Sequence, residues 1–285
     1  MIGFVNVYKP SGMTSSNVVV KLRKLFHIDK IGHFGTLDPM ACGVLPIAVG
    51  KATRMFDYYL AKYKTYKATF EFGYITDTLD STGEIVDRVD KCLTREEVEL
   101  AIKSMLGLSM QTPPSFSAKL VNGVRAYKLA RNGEIVELKP KEIEITKFEL
   151  LSFDNNVCEV EITCSSGTYI RSIARDLGYA VGSLCTMTAL ERIESGVFNL
   201  SNSTSLEDLL RLDSIEDKLI DLETVFPNMR IIELNETSFF KIRNGIAIDN
   251  SYDVDTVAFA KYNNMIVGVV ERINNKLKLK TFLME

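Results

Sequence analysis

Residues 32–46 read GHFGTLDPMACGVLP, and the rest of the chain is best read outward from them. The stretch holds Gly32, Gly35 and Gly43, Pro39 and Pro46, and His33, one of only two histidines in the chain. So many backbone punctuators, running directly into the apolar residues 44–49, predict a loop of fixed shape at the edge of a buried strand. Pro39 disfavours the α region for the residue before it, so Asp38 stands on extended or turn backbone. The glycines permit positive φ or a close approach by another group. Asp38 then has two readings. It is a turn aspartate capping nearby N–H groups, or it is an acid held in place for chemistry.

Composition sets the outer limits. A chain of 285 residues, 46% hydrophobic and 25% charged, is an ordinary globular protein with one large domain, or a large and a small one. The start MIGFVNVYKP has neither the basic head nor the apolar core of a signal peptide. No run approaches the ~18 apolar residues of a membrane span, so a cytoplasmic protein without membrane contact is expected. Five cysteines, odd in number and never in a CxxC pair, read as reduced thiols. With His27 and His33 the only imidazoles, no metal is expected. The net charge of −3 hides a polarised distribution. Residues 1–67 carry ten Lys/Arg against three Asp/Glu and residues 111–147 seven against four, whereas residues 148–230 carry six against fourteen. Phosphate contact depends on local field, so this pattern suits a polyanion partner as well as it suits solvated faces.

Taken in order, residues 2–7 predict a strand and Lys9-Pro10-Ser11-Gly12 the turn that leaves it. Ser15 or Ser16 is the expected N-cap of a helix carrying Val18, Val19, Leu22 and Leu25. GKAT at 50–53, before a helix expected over 52–60, is no phosphate loop, because Leu45 stands where a glycine is needed. Residues 64–73 alternate, with Tyr66, Ala68, Phe70 and Phe72 on one face. Tyr66 by itself reads as core, although its place at the strand's start also lets its ring border a cleft. Thr94 to Glu97 forms a capping-box pattern. Residues 111–133 read as an insertion with an Asn122-Gly123 turn, then a basic helix ending at Gly133. There Lys119, Arg125, Lys128 and Arg131 interleave with Phe116 and Tyr127, a composition suited to RNA backbone and bases. Strands near 142–152 and 156–164 lead into CSSGTYIRSIARDLG, a helix whose first N–H groups are a candidate anion site. Arg171, buried on that otherwise apolar helix, would demand an acid partner. Residues 201–228 read as an acidic, loop-rich linker with short helices. Short alternating strands from about 230 predict a small β-rich module.

These stretches resemble the TruB family, the bacterial tRNA pseudouridine-55 synthases. The resemblance is carried by YKPSGMTSS at 8–16, GHFGTLDPMACGVLPIAVGKATR at 32–54, PPSFSAKLVNGVRAYKLARNG at 113–133 and CSSGTYIRSIARDLG at 164–178. It implies an α+β pseudouridine-synthase fold, with a mixed, largely antiparallel sheet flanked by helices and a small C-terminal PUA module resembling a β-barrel. The implied domains are 1–228, with an RNA-clamping insertion at about 111–135, and 229–285. It makes Asp38 the catalytic acid, Tyr66 the ring stacked on the target uracil and Arg171 the partner of Asp38. Leu190 would pack the other side of the base, Lys9 brace the active-site loop and His33 fill space near the RNA loop. Lys119, Arg125, Tyr127 and Arg131 would contact RNA. The implied substrate is the tRNA T-stem-loop, bound by a monomer with no guide RNA or protein partner. Isomerising uridine oxidises nothing and adds nothing, so no cofactor is expected. Two alternatives stay open: a tRNA-folding protein in which catalysis is secondary, and a synthase acting on another RNA. The family's histidine and arginine around Leu190 are here Cys185 and Glu191, which puts RNA contacts there in question.

Overall fold

The computed structural model describes residues 1–59, 63–117, 119–121, 123–134 and 138–284. Asn122 of the expected turn, residue 60 at the end of the expected 52–60 helix, and residue 135 at the end of the insertion lie outside them. The main strands are β1 (Gly3–Lys9), β2 (Ile31–His33), β3 (Cys42–Val49), β4 (Lys64–Phe72), β5 (Gly107–Gln111), β6 (Lys141–Asp154), β7 (Val157–Cys164) and β8 (Cys185–Ser195). A ten-stranded sheet runs from Thr204–Ser205 through β1, β3, β8, β4, β7, β6 and β5, with β2 and Phe198–Asn199 attached at its side. All pairings along it are antiparallel except Thr204–Ser205 with β1 and β8 with β3. The expected α+β fold with a mixed, mostly antiparallel sheet is what the chain adopts.

Helices α1 (Ser15–Leu25), α2 (Arg95–Ser104) and α4 (Ile170–Ala180) bury Val18, Leu22, Val98, Ile102, Ile173 and Leu177 against Leu45, Phe70, Val160 and Ile162 of the sheet. The short α3 (Ala126–Arg131) belongs to the insertion, where it follows the hairpin of Leu120–Val121 and Val124–Arg125. The N-cap of α1 is Thr14, which accepts from the Asn17 N–H, and neither Ser15 nor Ser16. Ser15 turns inward instead, bonding Leu37 of the central loop. The capping box at Thr94 forms as expected.

Residues 201–228 are no linker. Phe4 and Ile220 exchange backbone hydrogen bonds, and Leu206, Leu209, Leu222, Val225 and Phe226 are buried. Their acidic residues face water while alternating apolar ones close the sheet, a pattern that composition averages hide. Beyond them β9 (Ile231–Glu233), α5 (Glu236–Arg243), β10 (Ile248–Asp249), β11 (Val257–Tyr262), β12 (Met265–Ile273) and β13 (Lys276–Phe282) form a five-stranded sheet in the order β9-β11-β12-β13-β10. Phe259, Val269 and Leu283 from this C-terminal sheet share one apolar cluster with Phe4, Phe34, Tyr59 and Phe226.

Candidate active site

The loop between β2 and β3 is held from two sides. From below, the segment after β1 ties down its middle. The Gly12 N–H donates to the Pro39 carbonyl at 2.8 Å, Ser11 Oγ to the Met40 carbonyl at 2.7 Å, and Ser15 Oγ both accepts from and donates to Leu37. Lys9, fully buried, points its Nζ at the carbonyls of Pro10 (2.8 Å), Met13 (2.6 Å) and, more weakly, Pro39 (3.4 Å). Burial pushes its ammonium down to about 8. On the far side, Arg192 of β8 donates from Nε to the Val44 carbonyl at 2.7 Å and from Nη2 to the Gly35 carbonyl at 3.1 Å. The middle of the loop is therefore fastened to the segment after β1, and its two flanks, Gly35 and Val44, to β8.

Asp38 projects from this frame towards α4. Arg171, in the first turn of α4, is 5% exposed. Its Nη2 donates to Asp38 Oδ1 at 3.1 Å, and its Nε lies 2.9 Å from Oδ2. The Nε–H is turned off that line, so the second contact is one of charge, and Nη2 makes the aligned hydrogen bond. The same guanidinium donates to the carbonyls of Thr78 and Phe116 and lies 3.7 Å from Asp80 Oδ2. The acid partner that a buried arginine demands is therefore present twice. The Asp38 side chain is 32% exposed and that of Asp80 only 6%. Asp38 thus faces the solvent side and Asp80 the protein side of one cation.

Tyr66 of β4 is buried at 7% exposure, and desolvation pushes its hydroxyl up to about 12. It is the cross-strand neighbour of Arg192, whose positive charge opposes that upward shift. Leu190, also 7% exposed, pairs with Ala68 on β4. Met40, Cys42, Ala68, Thr69 and Leu190 line a cleft of about 670 Å³ that opens beside the loop. His33 sits at the end of β2 with its Nδ1 buried and unpartnered, and burial plus the Arg192 charge lower its pKa, which favours the neutral ring.

The insertion stands apart from the Asp38–Arg171 pair. Its foot is anchored on α4: Gln111 bonds both the N–H and the carbonyl of Tyr169, and Ser172 and Arg175 donate to the Thr112 carbonyl. Gln111 thereby occupies a helix-start N–H that looked free for an anion. Lys119, Arg125, Tyr127 and Arg131 are not brought to the acid. Among the described residues none of the four shares a hydrogen bond or ion pair with Asp38 or Arg171, and Arg131 instead lies over the Tyr127 ring at 5.6 Å.

A model of the TruB family pseudouridylate synthase N-terminal domain matches residues 23–170. The tRNA pseudouridine synthase B of Clostridium perfringens is 37% identical over 100% of both chains. The chain belongs to the TruB family. Proteins of the same name from Ehrlichia canis and Streptococcus agalactiae are each 38% identical, over 98% and 97% of this chain and 96% and 97% of their own. Two solved structures share the fold. An H/ACA RNP bound to a substrate RNA containing 2'-deoxyuridine has a TM-score of 0.73 at 20% identity, over 99% of this chain and 85% of that one. An archaeal box H/ACA sRNP complex has a TM-score of 0.74 at 19% identity, over 99% and 86%.

Within this TruB member, sequence reasoning missed Asp80 and Arg192. Asp80 lies in TDTLDSTG at 76–83, where a run of Thr, Asp and Gly after a strand signals a tight polar loop. Its carboxylate accepts from Thr78 Oγ1 and from the N–H and hydroxyl of Thr82. Arg192 carries no local signal, because its partners are remote in sequence. Of the two departures from the family pattern, Cys185 is fully buried under Gly178 of α4 and meets no surface. Glu191 lines the cleft, where Tyr8 donates to its Oε1 at 2.8 Å. Among the described residues no cluster of His, Cys, Asp and Glu could hold a metal, and no helix is long and apolar enough to cross a membrane.

Proposed function

We infer that the protein isomerises uridine to pseudouridine at position 55 in the T-loop of tRNA, with Asp38 as the acting acid. The observation that carries this is the pairing of a partly exposed carboxylate, on a loop pinned from both sides, with a buried guanidinium. The reaction breaks the N1–C1′ bond, turns the base, joins C5 to C1′ and releases the C5 proton. Atoms other than that exchanged proton are conserved, and no electrons leave. A carboxylate serves this either as a nucleophile at C1′ or C6 or as a base toward the ribose. Arg171 favours the charged form of its neighbour and holds both oxygens in one orientation. The target base must leave its stack at a cost of a few kcal/mol. Stacking on Tyr66, packing on Leu190 and phosphate contact with Lys119, Arg125, Tyr127 and Arg131 would offset that cost. Lys9 braces the loop, and neutral His33 fills the space beside the opened RNA loop.

Full-length similarity to proteins named tRNA pseudouridine synthase B supports tRNA as the substrate. In this reading the protein works as a cytoplasmic monomer, without guide RNA, protein partner or cofactor. Residues 1–228 carry the chemistry and 229–285 add a second RNA contact. The test is tritium release from C5-labelled uridine in a T-stem-loop RNA. Wild type should release it, and Asp38→Asn should not while still binding the RNA. Substantial turnover by Asp38→Asn defeats the assignment of the acid.

A further inference from the structure

Arg192 is the largest of the fully buried side chains, at 1% exposure, and among the described residues no carboxylate pairs with it. A guanidinium satisfied by neutral acceptors alone is an expensive thing to bury. Its partners indicate what the arrangement does. The two carbonyls it binds flank the Asp38 loop, Gly35 near its start and Val44 just beyond its end in β3. Its cross-strand neighbour on β4 is Tyr66. Its own backbone lies between the same two elements, in register with Gly43 on one side and Tyr66 on the other. Gly43 is what permits that approach: a Cβ there would lie 2.3 Å from the Arg192 carbonyl oxygen.

We propose that Arg192 is a positioning residue that sets the distance between the Asp38 loop and the Tyr66 ring. It closes the neck of the loop with a rigid planar fork, while its backbone, in register with Tyr66, ties that fork to the strand carrying the ring. Lysine cannot reproduce this, because a single ammonium on a flexible stem lacks the fixed fork that spans separate acceptors. Arg192 touches neither the acid nor the cleft wall, so it acts through geometry alone.

The inference rests on Asp38 and Tyr66 having the roles proposed above, and the experiment separates the two. Wild type, Arg192→Lys and Arg192→Gln are compared on the T-stem-loop RNA. The readings are RNA affinity, single-turnover rate at saturating RNA, melting temperature and amide exchange over the loop, residues 34–41, and over β3. If wild type itself does not turn over, the functional reading fails. Given an active wild type, Arg192→Lys should fold and bind RNA within about threefold. Its single-turnover rate should fall roughly a hundredfold, the scale of an ångström's misplacement. Exchange should quicken in the loop and not in β3, and Arg192→Gln should show the same split. A rate within about threefold of wild type overturns the proposal. So does a loss that tracks affinity, or failure of both variants to fold, since a purely structural role then suffices.

Discussion

At the scale of the residue, Arg171 serves two acids of unlike burial, and its removal should expose the difference. Asp80 is 4% exposed, so Arg171→Ala leaves a buried charge without its cation and should cost ~3–5 kcal/mol. Asp38→Asn acts at a side chain already 32% exposed and should cost under ~1 kcal/mol, although both variants lose turnover. Urea unfolding of the two proteins checks this, and equal losses would show that Arg171 does not hold Asp80. Lys9 gives the pH dependence. Its pKa falls from 10.5 to about 8 on folding, so between those values the unfolded chain binds more protons than the native one. Stability from this group therefore rises with pH across the window, whereas the loop loses an ammonium donor. Lys64, likewise lowered to about 8 by burial, adds to stability with the same sign. Activity should fall along an alkaline limb centred near pH 8 while the melting temperature does not fall with it. Lys9→Arg, which stays charged, should move that limb upward by about a unit or more. An unmoved limb would assign it to another group.

The elements explain why the loop is rigid. β3 is the meeting point of an antiparallel partner, β1, and a parallel one, β8, and the second contact is only two residues long. Gly43 makes it possible, with φ of +102° and no Cβ to strike the Arg192 carbonyl. Gly43→Ala should therefore cost ~2 kcal/mol or more, and lower the melting temperature by roughly 4–8 °C. Calorimetry checks this, and a melting temperature close to wild type would mean that β3 and β8 can slide apart freely. The hairpin and α3 of the insertion lie at the opposite extreme. Arg131 there lies over the Tyr127 ring at 5.6 Å, an exposed contact within the insertion itself.

Over the whole molecule, the small C-terminal sheet is joined to the large one through aromatic contacts. Phe226 meets Phe4 at 6.0 Å, Tyr59 at 6.4 Å and Phe259 at 6.1 Å. A module of ~55 residues is marginal alone, so this shared cluster supports it. Phe259→Ala should cost ~3–5 kcal/mol, felt by both sheets. Hydrogen exchange during urea unfolding should then show β11 and β1 loosening together. Loss of protection confined to residues 231–282 would show that the two sheets are stable independently.

What the sequence by itself determined was local. Glycine and proline set the backbone of the Asp38 loop, alternation marked β4 and the C-terminal strands, and the Thr94 capping pattern placed the start of α2. Those properties depend on neighbours in the chain, which a sequence displays. Tertiary structure decided the rest. Ser15 was drawn from the cap of α1 to the loop, residues 201–228 were packed along β1, and Asp80 and Arg192 were placed around residues 38 and 66. Burying a charge or a hydroxyl requires partners that the chain supplies from far away. Arg192 and Gly35 are 157 positions apart, and folding alone brings them to 3.1 Å.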